Sequence, residues 1–413
     1  MRKYLWPLLA DNLILLAGIL LAVSPVILEN WGIGLQSTTG NLARLALVVS
    51  GAILILAAIG LAIFPAARRR FYSETGIRRS RYFIQAGLWV GVVLVIMELA
   101  LRAFVIADDI RISSDPMLGG AAAAGSSAFN GLEGTGYIHY IADGEIYTPY
   151  NEGPSILVLG DSNTEAQQVN DDQKFASVAE SRLWSDGYRL NLRNLAISGY
   201  SLAHYAGLLP YFVKKYDPVA IVIQVSLQDF DCSDGFSHDA RFYFLPDADG
   251  ATTPVANPDP NAGLAHRVEV PFSLAIYTSR RLKEIFPAPA SGSEMSSDPI
   301  STRDSIQIQL SALERVTDSL GIPVIFLALP DTPRIENGMI HNDDSDFDYL
   351  VSQIESRKGW QVVDPSREFL SLLTQGELPR GFNNTTPGIG HMTPDAHLIA
   401  GDLLAQKLEG LLK

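Results

Sequence analysis

A chain of 413 residues with one cysteine, Cys232, can form no intrachain disulfide and no cysteine metal cluster. Histidine is scarce as well, and His204, His238 and His266 lack metal-ligand spacing. A glycine-rich phosphate loop is missing; Gly160 stands alone before its polar turn. No internal repeat is present. Positive charge is in the minority, 31 Lys/Arg against 45 Asp/Glu. Residues 1–81 hold nine of the basic and three of the acidic side chains. The rest therefore has 22 basic against 42 acidic, a formal charge of −20. Such an acidic body argues against nucleic acid and against docking on anionic lipid. No metal or cofactor is expected. Without disulfides, stability must come from core burial, for which roughly 270 residues suffice.

Apolar residues are abundant, 47% of the chain, and concentrated at the front. Three stretches, about Leu5–Leu28, Leu45–Ile63 and Tyr82–Ile106, each approach the roughly 20 residues that span a bilayer. Arg68, Arg69, Arg70, Arg78, Arg79 and Arg81 crowd the loop between the second and third, which the positive-inside rule makes cytoplasmic. The loop before it has only Arg44, and Arg2 and Lys3 precede the first stretch. These biases agree on three spans in the plasma (inner) membrane. The N-terminus is then cytoplasmic and everything after about Asp108 extracytoplasmic. A cleaved signal peptide is the alternative for the first stretch. Asn30-Trp31-Gly32 follows it, with no small-x-small pattern just beyond Leu28. Asp11 and Asn12 lie near its inner end and are expected at the interface.

Three regions are expected: a membrane domain over 1–108, a flexible tether over 109–136, and a globular domain over 137–413. The tether reading rests on Pro116–Gly136, which is small and uncharged except for Glu133. In the globular part, five apolar runs have the length of buried strands: Ile156–Leu159, Leu192–Ile197, Ala220–Val225, Val324–Leu329 and Trp360–Val363. Helical spacing marks Phe175–Trp184, Leu202–Lys215, Asp304–Leu320 and Leu398–Leu411. The alternation predicts a three-layer α/β/α domain, flavodoxin-like, around a five-stranded parallel sheet. A long insertion, residues 231–302, separates the third and fourth runs and is expected to cover the carboxyl edge of the sheet.

The first run ends on "GDSNTE". One reading is a strand-to-helix turn capped by Asp161 or Ser162. The other is a serine nucleophile presented at the end of a buried strand. The second run leads to "NLAISGY", the third to Leu227-Gln228-Asp229, and "GIGHMTPDAH" places His391 just before the last helix. In a parallel sheet these four sites share one edge. The turn is not a G-x-S-x-G elbow, because position 164 is Thr. His397 reads as structural, bonding loop backbone near the helix start.

In these blocks the sequence resembles the SGNH/GDSL hydrolase superfamily, over about Tyr137 to Lys413. Gly160-Asp161-Ser162 matches its first block, Gly199 the glycine of its second, Gln228-Asp229 stands where the third has Asn-Asp, and His391 matches the last. The resemblance implies Ser162 as nucleophile and His391 as its base. It implies an oxyanion hole from the N–H groups of Ser162 and Gly199 and the Gln228 amide, with Asp161 and Asp229 in support. Two departures stand out. Gln228 is one methylene longer than the family's Asn. The family's acid falls at Gly388 or Ile389 here, and neither can orient an imidazole. His391 is then expected to work in a Ser-His dyad, with a backbone carbonyl holding its other nitrogen; Asp331 and Asp364, after the fourth and fifth runs, are weaker substitutes. Two functions follow as expectations. The first is a membrane-anchored extracytoplasmic esterase or acyltransferase acting on O-acyl, notably acetyl, groups of a glycan. The alternative is a degenerate SGNH-fold binding or scaffold subunit within a membrane protein complex.

Overall fold

The computed structural model describes Ile96 and residues 106–109, 112–113, 117–118, 121–131, 133–142, 144–230, 241–246, 252–257, 301–331, 334–336, 339–341, 345–385 and 387–412. Apart from Ile96, these belong to one compact unit, Phe104–Gly263 with Ser291–Lys413. The three apolar stretches lie outside the described residues, save for Ile96 and Ile106. Among the described residues no helix is long and apolar enough to cross a membrane.

The strands are β1 (Ile106–Asp109), β2 (Ile112–Ser113), β3 (Ala121–Ala122), β4 (Ser127–Asn130), β5 (Gly136–Ala142), β6 (Glu145–Ile146), β7 (Ser155–Leu159), β8 (Asn191–Asn194), β9 (Ala220–Val225), β10 (Phe242–Pro246), β11 (Thr252–Ala256), β12 (Val324–Ala328), β13 (Arg334–Glu336), β14 (Met339–His341) and β15 (Trp360–Val363). The described helices are α1 (Ser162–Glu165), α2 (Phe175–Ser185), α3 (Leu202–Tyr216), α4 (Thr302–Leu320), α5 (Ser345–Glu355), α6 (Ser366–Thr374) and α7 (Pro394–Leu412).

Every residue of β7, β9 and β12 is buried. That is the pattern of parallel strands covered on both faces. Alternation divides their side chains between two cores. Ile156, Val158, Val222, Ile325 and Leu327 pack with Phe175, Leu183, Ala400 and Leu404 from α2 and α7. Leu157, Leu159, Ile221, Ile223 and Phe326 pack with Leu208, Phe212, Leu310 and Leu350 from α3, α4 and α5. The five expected runs form one parallel set, ordered β8-β7-β9-β12-β15. Strand β8 stops at Asn194, short of Ile197. Helices α5 and α6 join the four that helical spacing marked.

The sheet is larger than five strands. An antiparallel arm, β1-β4-β5-β6, adds to β8 and makes nine. This corrects the tether over 109–136 and the domain start at 137. Strand β4 pairs with β5, and Glu133 stands in the turn between them. In β5, Ile138 and Tyr140 are buried while Tyr137 and His139 face out. Gly136 lets this strand touch the Val169 backbone, where a Cβ would come within 2.5 Å of its nitrogen.

The described part of the 231–302 insertion is the β10–β11 hairpin. It packs on α3 and α4, with the Phe242 ring lying on Gly207 and Phe244 in the core. These residues cover the helix layer, which corrects the expected cover over the carboxyl edge for this part of the insertion. The apolar patch Phe272–Phe286 lies outside the described residues.

Candidate active site

The first turn is a helix cap, and it sets Ser162 just past the end of β7. Asp161 caps α1 by accepting the Asn163 N–H at 2.8 Å, and Ser162 is the first residue of that helix. The helix is one turn long and ends at Ala166 with φ +49. Its neighbours hold it from two strands. Gln224 of β9 accepts from the Thr164 hydroxyl at 2.9 Å and the Asp161 N–H at 3.3 Å. From β8, the Asn194 amide donates to Thr164 O at 3.0 Å. Gly160 is required by packing, since a Cβ would sit 2.0 Å from Thr164 Oγ1.

Glu165, also in α1, joins the first block to the second. Its carboxylate accepts from the Ser198 N–H at 2.9 Å, from the Ser198 hydroxyl, and from the Tyr140 hydroxyl of β5. Gly199 follows at φ +81, in the left-handed region that glycine enters freely. Nothing stands within 4 Å of where its Cβ would be, so the demand on glycine is conformational and the space beside it is open.

Past β9, Gln228 is exposed in the Leu227–Phe230 turn, whereas Asp229 is buried. Asp229 accepts from the Ser226 N–H at 2.7 Å and from the hydroxyls of Ser226 and Tyr205. Burial and the nearby Asp161 carboxyl push Asp229 well above the usual carboxylate range. Burial raises Asp161 too, opposed by its bonds to Asn163 and by the His391 and Arg380 charges. Both carboxylates therefore hold the strand ends in place; neither bonds to His391.

The partner of His391 is Glu133. Its Oε2 lies 2.7 Å from His391 Nδ1, and its Oε1 accepts the His391 backbone N–H at 2.9 Å. One carboxylate thus fixes both the ring and the main chain of the candidate base. This corrects the expected lack of an acid. Asp364 instead caps Ser366, and Asp331 is exposed at the end of β12. Gly388 and Ile389 leave the position open to Glu133. Gly390 adopts φ +112, and a Cβ there would meet Glu133 Oε1 at 2.4 Å, so only glycine allows the pair to form.

Two further residues build the pair. Asn384 grips the turn that carries Glu133: its side chain accepts from the Gly134 N–H and donates to the Gly131 and Gly134 carbonyls. Arg380, only 6% exposed, donates Nε to Pro330 O beyond β12. Its Nη1 donates at 3.2 Å to both Asn163 Oδ1 and Gly390 O. One guanidinium nitrogen so ties the residue after Ser162 to the residue before His391. Reading the sequence missed Glu133, Asn384 and Arg380. A signal for Glu133 was present: it is the one charge in Pro116–Gly136, set among Gly131, Gly134 and Gly136.

His397 is buried and accepts the Phe175 N–H on Nδ1 at 3.3 Å. Burial, then the positive charges of Lys174, His391 and Arg380, lower its pKa to about 3. The unfolded chain protonates this histidine near 6.5, so its contribution is present above 6.5 and is lost as pH falls toward 3. The full window corresponds to about 5 kcal/mol, and about half of it lies above pH 4.5. His397→Asn keeps an acceptor for Phe175 and cannot protonate. Its denaturation midpoint is expected to fall less than wild type's between pH 7 and 4.5; parallel falls would remove His397 as the cause.

No family model matches the chain, and no curated protein matches it in sequence. Solved structures do. The esterase EstA from Pseudoalteromonas sp. aligns at 13% identity over 63% of this chain and 99% of its own, with a TM-score of 0.35. A catalytic mutant of Axe2, an acetylxylan esterase from Geobacillus stearothermophilus, aligns at 12% over 62% and 95%, TM-score 0.37. The lipase/acylhydrolase from Enterococcus faecalis aligns at 11% over 62% and 96%, TM-score 0.36. Each is a protein this chain is similar to. The bonding of Glu133 to His391, and the bracing of both loops by Arg380, stand on this chain's own geometry.

Proposed function

We propose that this chain is a serine esterase or O-acyltransferase of the SGNH type, acting on O-acyl groups. The observation that carries the reading is the Glu133–His391 pair at 2.7 Å. A carboxylate on Nδ1 holds the proton there and leaves Nε2 as the basic nitrogen. Nε2 takes the Ser162 proton as Oγ attacks the ester carbonyl. The resulting oxyanion is held by the N–H groups of Ser162 and Gly199 and by the Gln228 amide. The imidazolium, stabilised by Glu133, returns its proton to the leaving alcohol. Water or an acceptor hydroxyl then attacks the acyl-serine, with Nε2 again as base. Glu133 stays ionised throughout. The three apolar stretches would anchor the chain with this unit outside the membrane, where O-acylated glycans are the fitting substrates. A scaffold role was motivated by a missing acid and by Gln228 in the third block; Glu133 answers the first of these and leaves the second standing.

The test is covalent. A fluorophosphonate mixed with the full chain is expected to add one phosphonyl group, mapped by peptide mass to Ser162. A label on another residue, or none on folded protein, would overturn the reading.

A further inference from the structure

The arm added to the sheet carries a second surface that the ester chemistry does not use. Tyr137 and His139 stand on the outer face of β5, and Tyr147 follows β6 with its N–H bonded to His139 O at 2.8 Å. Opposite lies the turn of Asn170, Asp171 and Asp172. Together these six line an open groove of about 590 Å³. The two tyrosines are 54% and 39% exposed.

The groove is built rather than loose. Phe129, directly across from Tyr137 in the β4–β5 register, lies against its ring at 4.7 Å between centroids. Asn170 Oδ1 accepts the Tyr137 N–H at 3.1 Å. Asp171 is held by Lys174 at 2.8 Å and by His139 Nδ1 at 2.6 Å, which leaves His139 Nε2 for a ligand. A fixed aromatic surface with a few convergent polar groups is the composition of a binding site. Exposed rings that pair an apolar face with a hydroxyl suit a partner that is itself apolar on one face and hydroxylated at its edge.

We infer that this groove is a saccharide subsite, holding an uncharged glycan chain whose ester is presented to Ser162. The inference rests on the esterase reading and names its substrate class. The pyranose face is a flat array of C–H groups that fits Tyr137 and Tyr147. Its hydroxyls meet Asp172, Asn170 and His139. Charge selects against acidic sugars: Asp171 and Asp172 line the groove, and Lys174, 1% exposed, is spent on Asp171. Position links it to the chemistry, because Tyr137 is four residues beyond Glu133, at most about 14 Å of chain.

Two measurements on the full chain separate this from the esterase reading. The first uses Ser162→Ala protein and calorimetry with three uncharged hexasaccharides (cello-, xylo- and N-acetylchitohexaose) and with hexagalacturonate. At least one uncharged chain is expected to bind at about millimolar concentration, more tightly than the galacturonate. Tyr137→Ala/Tyr147→Ala is expected to weaken it by about tenfold or more. No binding, preference for the uronate, or binding indifferent to the double variant would each overturn the subsite. The second compares kcat/KM on the acetylated form of that hexasaccharide with kcat/KM on phenyl acetate. The ratio is expected to fall about tenfold in the double variant through KM, and an unchanged ratio overturns the subsite. An inactive wild type sinks the esterase reading while the calorimetry still decides the groove.

Discussion

Glu133→Gln is expected to lower kcat on a small acetyl ester by about 10⁴-fold, the loss seen when a triad carboxylate becomes an amide. The bonds of this glutamate explain why an isostere fails. One carboxylate oxygen accepts a main-chain N–H and the other accepts Nδ1–H. Gln keeps one acceptor and gains a donor. The His391 main-chain N–H cannot reverse its role, so the amide oxygen must face it. The amide NH₂ then faces Nδ1, which becomes an acceptor, and the ring proton moves to Nε2. A histidine in that tautomer cannot take the Ser162 proton. KM for the small ester should stay within about threefold, since Glu133 is placed behind the imidazole and away from the acyl group. Fluorophosphonate labelling should slow in parallel. Glu133→Asp, one methylene short, should lose about 100-fold, the cost of roughly 1 Å of displacement. A Glu133→Gln enzyme within tenfold of wild type would show that His391 does not depend on this carboxylate.

Arg380→Met should destabilise the unit by about 3–5 kcal/mol, because each buried acceptor left without a donor costs about 1–3 kcal/mol. Three acceptors, Pro330 O, Asn163 Oδ1 and Gly390 O, lose their donor. Asp161 also loses a positive neighbour. The catalytic cost is separate and is measured where the variant is still folded. Asn163 follows Ser162, the proposed nucleophile, and Gly390 precedes His391, its proposed base, so release of both loops should cost about 100-fold in kcat. Arg380→Lys separates charge from geometry. It retains a cation beside Asp161 but lacks the planar fork that reaches all three acceptors. Its stability should fall between those of wild type and Met, with kcat close to that of Met. A Lys variant with full kcat would mean that charge alone matters; a Met variant with full kcat would mean that Arg380 only stabilises the fold.

The legible part of this protein was local. Runs at β7, β9 and β12 that are apolar apart from Ser155 and Gln224 mark strands buried on both faces, because a strand covered on both sides needs no polar alternation. Their alternation with helical spacing is enough to define a parallel sheet and the edge on which Ser162, Gly199, Gln228 and His391 stand. The arm was harder to read. Ser127–Asn130 has two adjacent apolar residues, Ala128 and Phe129, between two polar ones, and all four are half-buried, so β4 shows no hydrophobic period; it is a strand because β1 and β5 pair with it on either side.

Residue chemistry therefore determined the five parallel strands, the Gly160-Asp161-Ser162 turn and the place of His391, since each is encoded within a few positions of itself. The tertiary structure decided what orients that histidine. Glu133 and His391 are 258 residues apart, and Arg380 and Asn163 are 217 apart. A carboxylate works on an imidazole through a bond under 3 Å, whatever its distance along the chain. Only when β5 joins the sheet and Asn384 grips the turn before it does a lone glutamate among glycines come to lie behind Nδ1.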